Sequence, residues 1–467
     1  MKVCVVGLGY IGFPTACVIA EAGHEVLGVD VNHDLIEKLN NGGLHIVNED
    51  GLRDLVKFVH LSGRLRVSDH PEESDVFILA VPTPLIKEEG TTSENQFALK
   101  TSHMHGGKEV SFGTGQVAAT QECSFPDIGA SFRADLSYVE QATRSICPYV
   151  RAGNLVVLES TVPPGTTANL VCNILETEAG LNCLSDIFVA HAPERVLPGN
   201  ILYELKHNDR IVGGINAEAT ERAVAFYKTF VMGDVIGTDA ITAETVKLME
   251  NTFRDVNIAL ANELALIAER LGVDVFEAIE LANRHPRVNF LKPGPGVGGH
   301  CIPIDPYFII QSTPEEAQLI KLARCINAYM PHHVIDLFES LEREARDAGK
   351  IIKTVAILGA SYKANVGDER ESPSLEIASL VQARGYDVII HDPYIERFAK
   401  ISLEEIIQQA DALILLADHD VYRFQLTTQS IKRIAGDDPP WILDTRGFFD
   451  RQWDVEGYRV KRLGVGK

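Results

Sequence analysis

A chain of 467 residues is too long for one hydrophobic core and predicts two or three domains. Hydrophobic residues make up 45% and charged residues 23%, the balance of an ordinary globular protein. The net charge of −22 argues against nucleic acid or an anionic membrane as partner, but not against an anionic small molecule held by a local cluster of Arg and Lys.

No apolar stretch approaches the ~18–20 residues of a membrane span. Met1-Lys2 leads straight into a strand-like run, without the pattern of a cleavable leader. The eight cysteines are scattered, with no C-x-x-C pair and no metal-ligand spacing, so free thiols in a reducing cytoplasm are expected.

Residues 2–6 read as a buried parallel strand, Ile11 to Ala22 as a helix, and Glu25 to Val29 as a second strand ending at Asp30. Further strands are expected at 76–81, 155–158 and 187–190, the β/α rhythm of a doubly wound sheet. From Ala217 to about Ala282 the pattern turns helical, and the run Thr242–Arg270 has no Gly or Pro and is apolar at helical spacing. Such a helix can bridge two domains or form a dimer interface. A second α/β unit opens at Thr354-Val-Ala-Ile-Leu-Gly-Ala360, with a helix at 374–384 and a strand at 387–390. It repeats the order of residues 2–30 but keeps only Gly359 of the glycine triad.

The fold class is therefore α/β: two Rossmann-like doubly wound domains (1–216 and 331–467) joined by a helical domain (217–330). Between Pro84 and Asp135 lies a Gly-, Ser- and Thr-rich stretch without periodicity, expected to be a mobile insertion at about 86–134. Its His103, His105 and Cys123 match no standard metal spacing.

Gly7-Leu-Gly-Tyr-Ile-Gly12 follows a strand, opens a helix and precedes Asp30 at the end of the next strand. Gly7 permits the tight turn, Gly9 the approach of a pyrophosphate and Gly12 close helix packing. Asp30 would bind ribose hydroxyls and repel a 2′-phosphate, so NAD is the expected cofactor, the alternative being a structural Gly-rich turn. Val81-Pro-Thr-Pro84 and Glu159-Ser-Thr-Val-Pro-Pro-Gly-Thr166 each follow a strand, where ligands bind in such sheets. Thr83 and Thr161 are cofactor or catalytic candidates there, or loop hydroxyls satisfying their own backbone.

Lys247 and Asn251 share one helix face and could stabilise an oxyanion, or form a solvated polar face. Cys301 ends the run Lys292-Pro-Gly-Pro-Gly-Val-Gly-Gly-His-Cys301, with Asp305 following. It reads as a nucleophile with its pKa lowered by a helix N-terminus, Pro303 occupying the first turn, or as a buried inert thiol. A nucleophilic cysteine beside an NAD site suits oxidation of an alcohol through an aldehyde to an acid, with the aldehyde held as a thioester.

These motifs, with Ala192-Pro-Glu-Arg195, Lys363-Ala-Asn-Val-Gly-Asp-Glu-Arg-Glu-Ser-Pro373 and Asp444-Thr-Arg446, run in an order that resembles the nucleotide-sugar 6-dehydrogenase family. The resemblance covers nearly the whole chain outside the insertion. It implies an NAD-dependent, four-electron oxidation of a sugar C6 alcohol to a carboxylate. Cys301 would attack the aldehyde, and Lys247 with Asn251 would stabilise the oxyanion. Asp305 would support proton transfers, Glu194 would serve acid–base work in thioester hydrolysis, and Thr161 would hold the water.

The cofactor set implied is Gly7, Gly9, Tyr10, Ile11, Gly12, Asp30, Thr83, Thr161 and Arg370. The sugar nucleotide would meet Glu194, Arg195, Val196, Lys247, Asn251, Arg254, His285, Gly298, Lys363 and Arg446, and Arg287 from a neighbouring subunit of a homodimer or larger homo-oligomer. The Val196-Leu-Pro-Gly199 and His285-Pro-Arg-Val-Asn289 segments are most similar to family members taking UDP-N-acetylmannosamine. UDP-N-acetylglucosamine stands second and UDP-glucose third. The competing classes are a β-hydroxyacid dehydrogenase moving one hydride and a non-catalytic NAD-binding sensor.

Overall fold

The structure, a computed structural model, describes residues 1–46, 49–87, 132–196, 199–436 and 438–466. His103, His105 and Cys123, with the interior of the expected insertion, lie outside the described residues.

Among the described residues, ten strands precede the long central helix: β1 (Lys2–Val6), β2 (Glu25–Val29), β3 (Leu65–Ser68), β4 (Val76–Leu79), β5 (Leu85–Lys87), β6 (Phe132–Ala134), β7 (Leu155–Leu158), β8 (Phe188–His191), β9 (Arg210–Gly214) and β10 (Val235–Asp239). Eight form one sheet in the order β10-β9-β8-β7-β4-β1-β2-β3, parallel throughout except between β8 and β9. Continuous apolar runs form the inner strands β1, β4, β7 and β8 because both faces are covered, whereas the edge strands β3 and β10 are partly exposed. Along β1 the side chains alternate: Val3 and Val5 join Phe13 and Ile19 in one core, and Cys4 and Val6 join Phe77 and Val156 in the other. Strand order reverses beside β1, so the loops after β1 and β4 flank the crevice where such sheets bind ligands.

Val235–Asp239, inside the stretch read as helical, is a strand paired with β9 over Val235↔Arg210 to Asp239↔Gly214. The helix Ala217–Tyr227 packs on the same sheet. The first sheet therefore runs to Asp239 rather than ending before Ala217. Five residues between a turn and a long helix are too few to show a period of two against the helical pattern around them.

The helix Ala240–Leu271 is 32 residues long, or about 48 Å at 1.5 Å per residue. Asp239 caps it by accepting from Thr242 N (2.8 Å), and Gly272 ends it in the left-handed conformation, φ 72°. A second long helix, Gln318–Asp347, packs along it and carries Pro331 inside. It runs through the division drawn at 330/331. A buried relay joins the pair: Asp255 binds Arg324 Nη1 (2.5 Å) and Asn327 Nδ2 (2.8 Å), and Asn262 binds Asn327 (2.9 Å).

The second sheet holds β11 (Thr354–Leu358), β12 (Asp387–His391), β13 (Ala412–Leu415), β14 (Trp441–Asp444) and β15 (Val460–Arg462), all parallel, in the order β12-β11-β13-β14-β15. Asp392 occupies the place that Asp30 has in the first sheet. It is fully buried and accepts from Ala360 N, Ser361 N and His419 Nε2 (2.9, 2.9 and 3.1 Å). Only Gly359 of the glycine triad is present in the adjoining turn.

Candidate active site

The fingerprint glycines have the local geometry their spacing predicts. Gly7 holds φ 95°, a Cβ on Gly9 would meet nothing within 4 Å, and one on Gly12 would sit 1.9 Å from the Gly7 carbonyl oxygen. Space stands open where the pyrophosphate would approach. No side-chain hydrogen bond caps the helix Gly12–Glu21, whose positive end faces the glycine turn; Phe13 N is held by Gly9 O (3.3 Å) and Pro14 has no N–H. Asp30 accepts from Leu8 N (2.8 Å) and Asn32 N (2.9 Å), and each oxygen keeps a lone pair for a ribose hydroxyl. Tyr10 donates its hydroxyl to Glu49, which also accepts from Gly199 N (2.6 Å) and Ile201 N (3.0 Å). The residues present thus fit NAD. Ile11 is the residue before that helix and is half-buried.

The loops after β4 and β7 are stitched together. Ser160 Oγ accepts from Val81 N (2.9 Å) and donates to Val81 O (2.7 Å), and Thr83 donates to the Thr161 carbonyl (2.6 Å). The Thr83 hydroxyl is thus committed to a loop, one of its two sequence readings. Thr161 is half-buried.

Cys301 lies at an exposed turn before the helix Asp305–Ser312, its carbonyl accepting from Ile304 N (3.0 Å) and Asp305 N (2.8 Å). The helix begins later than expected, and Pro306 rather than Pro303 takes its first turn. The thiol is pushed up, not lowered: close surroundings dominate, Asp305 adds to them, and Lys247 and Arg370 pull the other way. Desolvation, with the Asp305 carboxylate adding to it, outweighs a helix end four residues off.

Asn251 Nδ2 donates to Asp305 Oδ2 at 2.5 Å. Asp305 is buried, and its carboxyl is raised to about 6 by burial, against the pull of Lys247 and the Asn251 hydrogen bond. Lys247 is itself buried, one helical turn from Asn251, so the face these residues share is not a solvated one. Cys301, Asp305, Lys247 and Asn251 therefore form one cluster.

The glycine loop before Cys301 rests on the C-terminal domain. Gly299 N donates to Arg370 O (3.0 Å), and Gly298 has no room for a Cβ, which would fall 2.5 Å from Glu371 O. Arg370 grips Asp368 through Nε and Nη2 (2.8 and 2.6 Å) and faces both Cys301 and Tyr10 electrostatically. Arg446 binds Asp418 (3.1 Å) and reaches Gly294, where a Cβ would sit 2.2 Å from its Nη1. Lys363, Arg254, His285 and Arg287 lie exposed.

Glu194 follows β8. Its Oε1 accepts from Arg195 N (2.6 Å) and its Oε2 from Arg210 Nη1 (2.8 Å). Arg195 turns its guanidinium to Glu250, beside Asn251, and to Asp209 O (3.1 Å). Val196 is half-buried, and Leu197 and Pro198 lie outside the described residues. Arg210, Glu159 and Tyr227, which form a buried group behind Glu194, were not picked out in the sequence. An arginine at the start of an apolar strand and a glutamate at the end of one read as solvated strand ends. Among the described residues no group of His, Cys, Asp or Glu could hold a metal ion, and no helix is long and apolar enough to cross a membrane.

Three models of one family match the chain: the NAD binding domain of the UDP-glucose/GDP-mannose dehydrogenase family over 1–104 and 123–231, its central domain over 241–329 and its UDP binding domain over 356–451. The UDP-N-acetyl-D-mannosamine dehydrogenase of Methanocaldococcus jannaschii is 43% identical over 470 residues, covering 100% of this chain and 97% of that protein. An NDP-N-acetyl-D-galactosaminuronic acid dehydrogenase of Ralstonia nicotianae is 41% identical over 461 residues, 96% of each chain. The structure of UDP-D-ManNAc dehydrogenase from Pyrococcus horikoshii superposes with a TM-score of 0.83 at 38% identity, covering 100% of both chains.

Proposed function

The chain belongs to the UDP-glucose/GDP-mannose dehydrogenase family, and from that premise we propose that it oxidises UDP-N-acetyl-D-mannosamine to UDP-N-acetyl-D-mannosaminuronate with two NAD. The observation that carries the chemistry is the cluster of Cys301, Asp305, Asn251 and Lys247. The sugar rests on the Val196-Leu-Pro-Gly199 segment and on the names of full-length relatives.

Gly7, Gly9, Gly12 and Asp30 would hold NAD, which when bound would supply the hydride acceptor for both oxidations. Lys247 and Asn251 stabilise negative charge on the C6 oxygen, and their burial strengthens that effect. The Cys301 thiol gives up its proton as its sulfur bonds to the aldehyde carbon. Asp305, its carboxyl near 6, takes that proton at the pH where it is mostly ionised. Loss of the second hydride leaves the thioester. Water activated by Glu194 and positioned by Thr161 then adds to the acyl carbon, and the C–S bond breaks with its electrons on sulfur. Lys363 and Arg446 hold the UDP, and Arg370 spans the sides of the cleft.

Met249, Phe253, Leu260, Ile267 and Leu271 make an exposed apolar row at helical spacing along Ala240–Leu271. That row is the reason to read the enzyme as a homodimer across this helix, with Arg287 completing the neighbouring site. The seven described cysteines are all free thiols, in keeping with a cytoplasmic enzyme.

NADH formation with UDP-N-acetylmannosamine, UDP-N-acetylglucosamine and UDP-glucose tests the reading. Two NADH per UDP-N-acetylmannosamine are expected; equal or faster turnover of UDP-glucose overturns the substrate, and one NADH per sugar overturns the thioester. Cys301→Ala should bind NAD and form no acid.

A further inference from the structure

Behind Glu194 the first domain buries a cluster of charged side chains. Arg210 opens β9 with its side chain only 5% exposed and binds Glu194 Oε2 at 2.8 Å, the Glu194 side chain being 10% exposed. The guanidinium lies over the Tyr227 ring, 5.1 Å from its centre. Tyr227 donates its hydroxyl to Glu159 Oε1 at 2.5 Å. Glu159 stands at the end of β7, two residues before Thr161, and is buried. Two groups in this nest make no hydrogen bond: Arg210 Nη2 and Glu159 Oε2. One cation thus faces two carboxylates, and its Nη1 donates to Glu194, the less buried of the two, and to Pro193 O (3.4 Å) rather than to Glu159.

A purely structural arginine would neutralise the fully buried carboxylate first, because that charge is the costlier to leave unpaired. Here the direct contact goes to Glu194 instead. Glu159 is accommodated in another way: burial raises its carboxyl to about 7, with Arg210 and Tyr227 opposing the rise. Although burial works against the charge of Arg210, Glu194 and Glu159 hold it firmly protonated.

We infer that Arg210 is a positioning residue for thioester hydrolysis, fixing the orientation of Glu194, with Glu159 and Tyr227 anchoring the guanidinium from behind. This rests on the reading of Glu194 as the group that activates water. In that step water's oxygen bonds to the acyl carbon, its proton passes to the Glu194 carboxylate, and Cys301 leaves as the thiolate. A carboxylate free to rotate is not held toward the water whose proton it must take.

The test is rapid-quench intact-mass measurement of the acyl-enzyme, beside single-turnover NADH formation, with UDP-N-acetyl-D-mannosamine and NAD. Arg210→Gln should form NADH at the wild-type single-turnover rate, accumulate thioester and lose roughly ten- to hundredfold in steady-state turnover, part of the ~10²–10⁴-fold a positioned base supplies. Arg210→Lys should recover part of that loss. The double variant Arg210→Gln, Glu159→Gln removes the buried charges together. It should regain thermal stability yet hydrolyse as slowly as Arg210→Gln.

Wild-type hydrolysis in the double variant overturns the proposal, because Arg210 would then only neutralise Glu159. Glu194→Gln separates the two levels. If that variant accumulates thioester while Arg210→Gln does not, Arg210 has no part and the reading of Glu194 survives. Free turnover in Glu194→Gln without accumulation overturns the reading of Glu194 itself.

Discussion

Replacing Asp305 with Asn should remove a pH-dependent loss of stability that the active site imposes on the fold. The carboxyl moves from 3.8 to about 6 on folding, chiefly through burial. Because its folded value is raised, the folded state binds more protons than the unfolded one between those values, and stability falls as pH rises through that window. A rise of this size corresponds to about 3 kcal/mol, absent below about pH 4 and complete above about pH 7. The isosteric Asn keeps an oxygen to accept from Asn251 Nδ2, so the contact itself survives. Thermal unfolding of the apoenzyme and its D305N variant from pH 4 to 8 measures the effect. The variant's Tm should gain on the wild type as pH rises, by up to a few degrees, while acid formation collapses. A Tm difference that stays constant from pH 4 to 8 would refute the claim that burial of this carboxylate strains the folded state.

Three further outcomes follow from geometry. Gly9→Ala should leave Tm unchanged, since its Cβ meets open space, and weaken NAD by at least about tenfold, or about 1.4 kcal/mol. Gly12→Ala should instead destabilise the domain by about 1–3 kcal/mol or more through overpacking, its Cβ being 1.9 Å from the Gly7 carbonyl oxygen; equal behaviour of the two in unfolding and NAD titration refutes that division. Arg324→Met strands Asp255, whose side chain is fully buried, and should lose about 3–5 kcal/mol in denaturant unfolding, against under about 1 kcal/mol for a solvated pair. Phe253→Asp, at a position 71% exposed, should convert dimer to monomer by light scattering, and an unchanged mass would remove this helix from the interface.

Residues 2–30 were legible because the information is local. A five-residue apolar run, three glycines at fixed spacing and an acidic strand end specify turn, helix start and ribose contact within one βαβ unit. The same holds for Thr242–Arg270, whose uninterrupted helical period exceeds that of any competing element. Local pattern failed where a short element sits between stronger ones, as at Val235–Asp239, and where a helix tolerates a breaker, as at Pro331. It also misplaced the start of the cysteine helix, because Pro303 and Pro306 offer equally good first turns.

The site divides along the same line. The sequence by itself determined the nature of the reactive groups: a thiol on a glycine loop, a Lys and Asn one helical turn apart, and an NAD fingerprint. Only the tertiary structure decided their states. Asp305 meets Asn251 across 54 positions of chain, Glu194 meets Arg210 across two strands, and Gly298 and Gly299 seat the cysteine loop on Glu371 and Tyr362 of another domain. The direction of the thiol's pKa reversed for that reason. A helix end is visible in the sequence, but the desolvation and charge that outweigh it come from residues brought close only by folding.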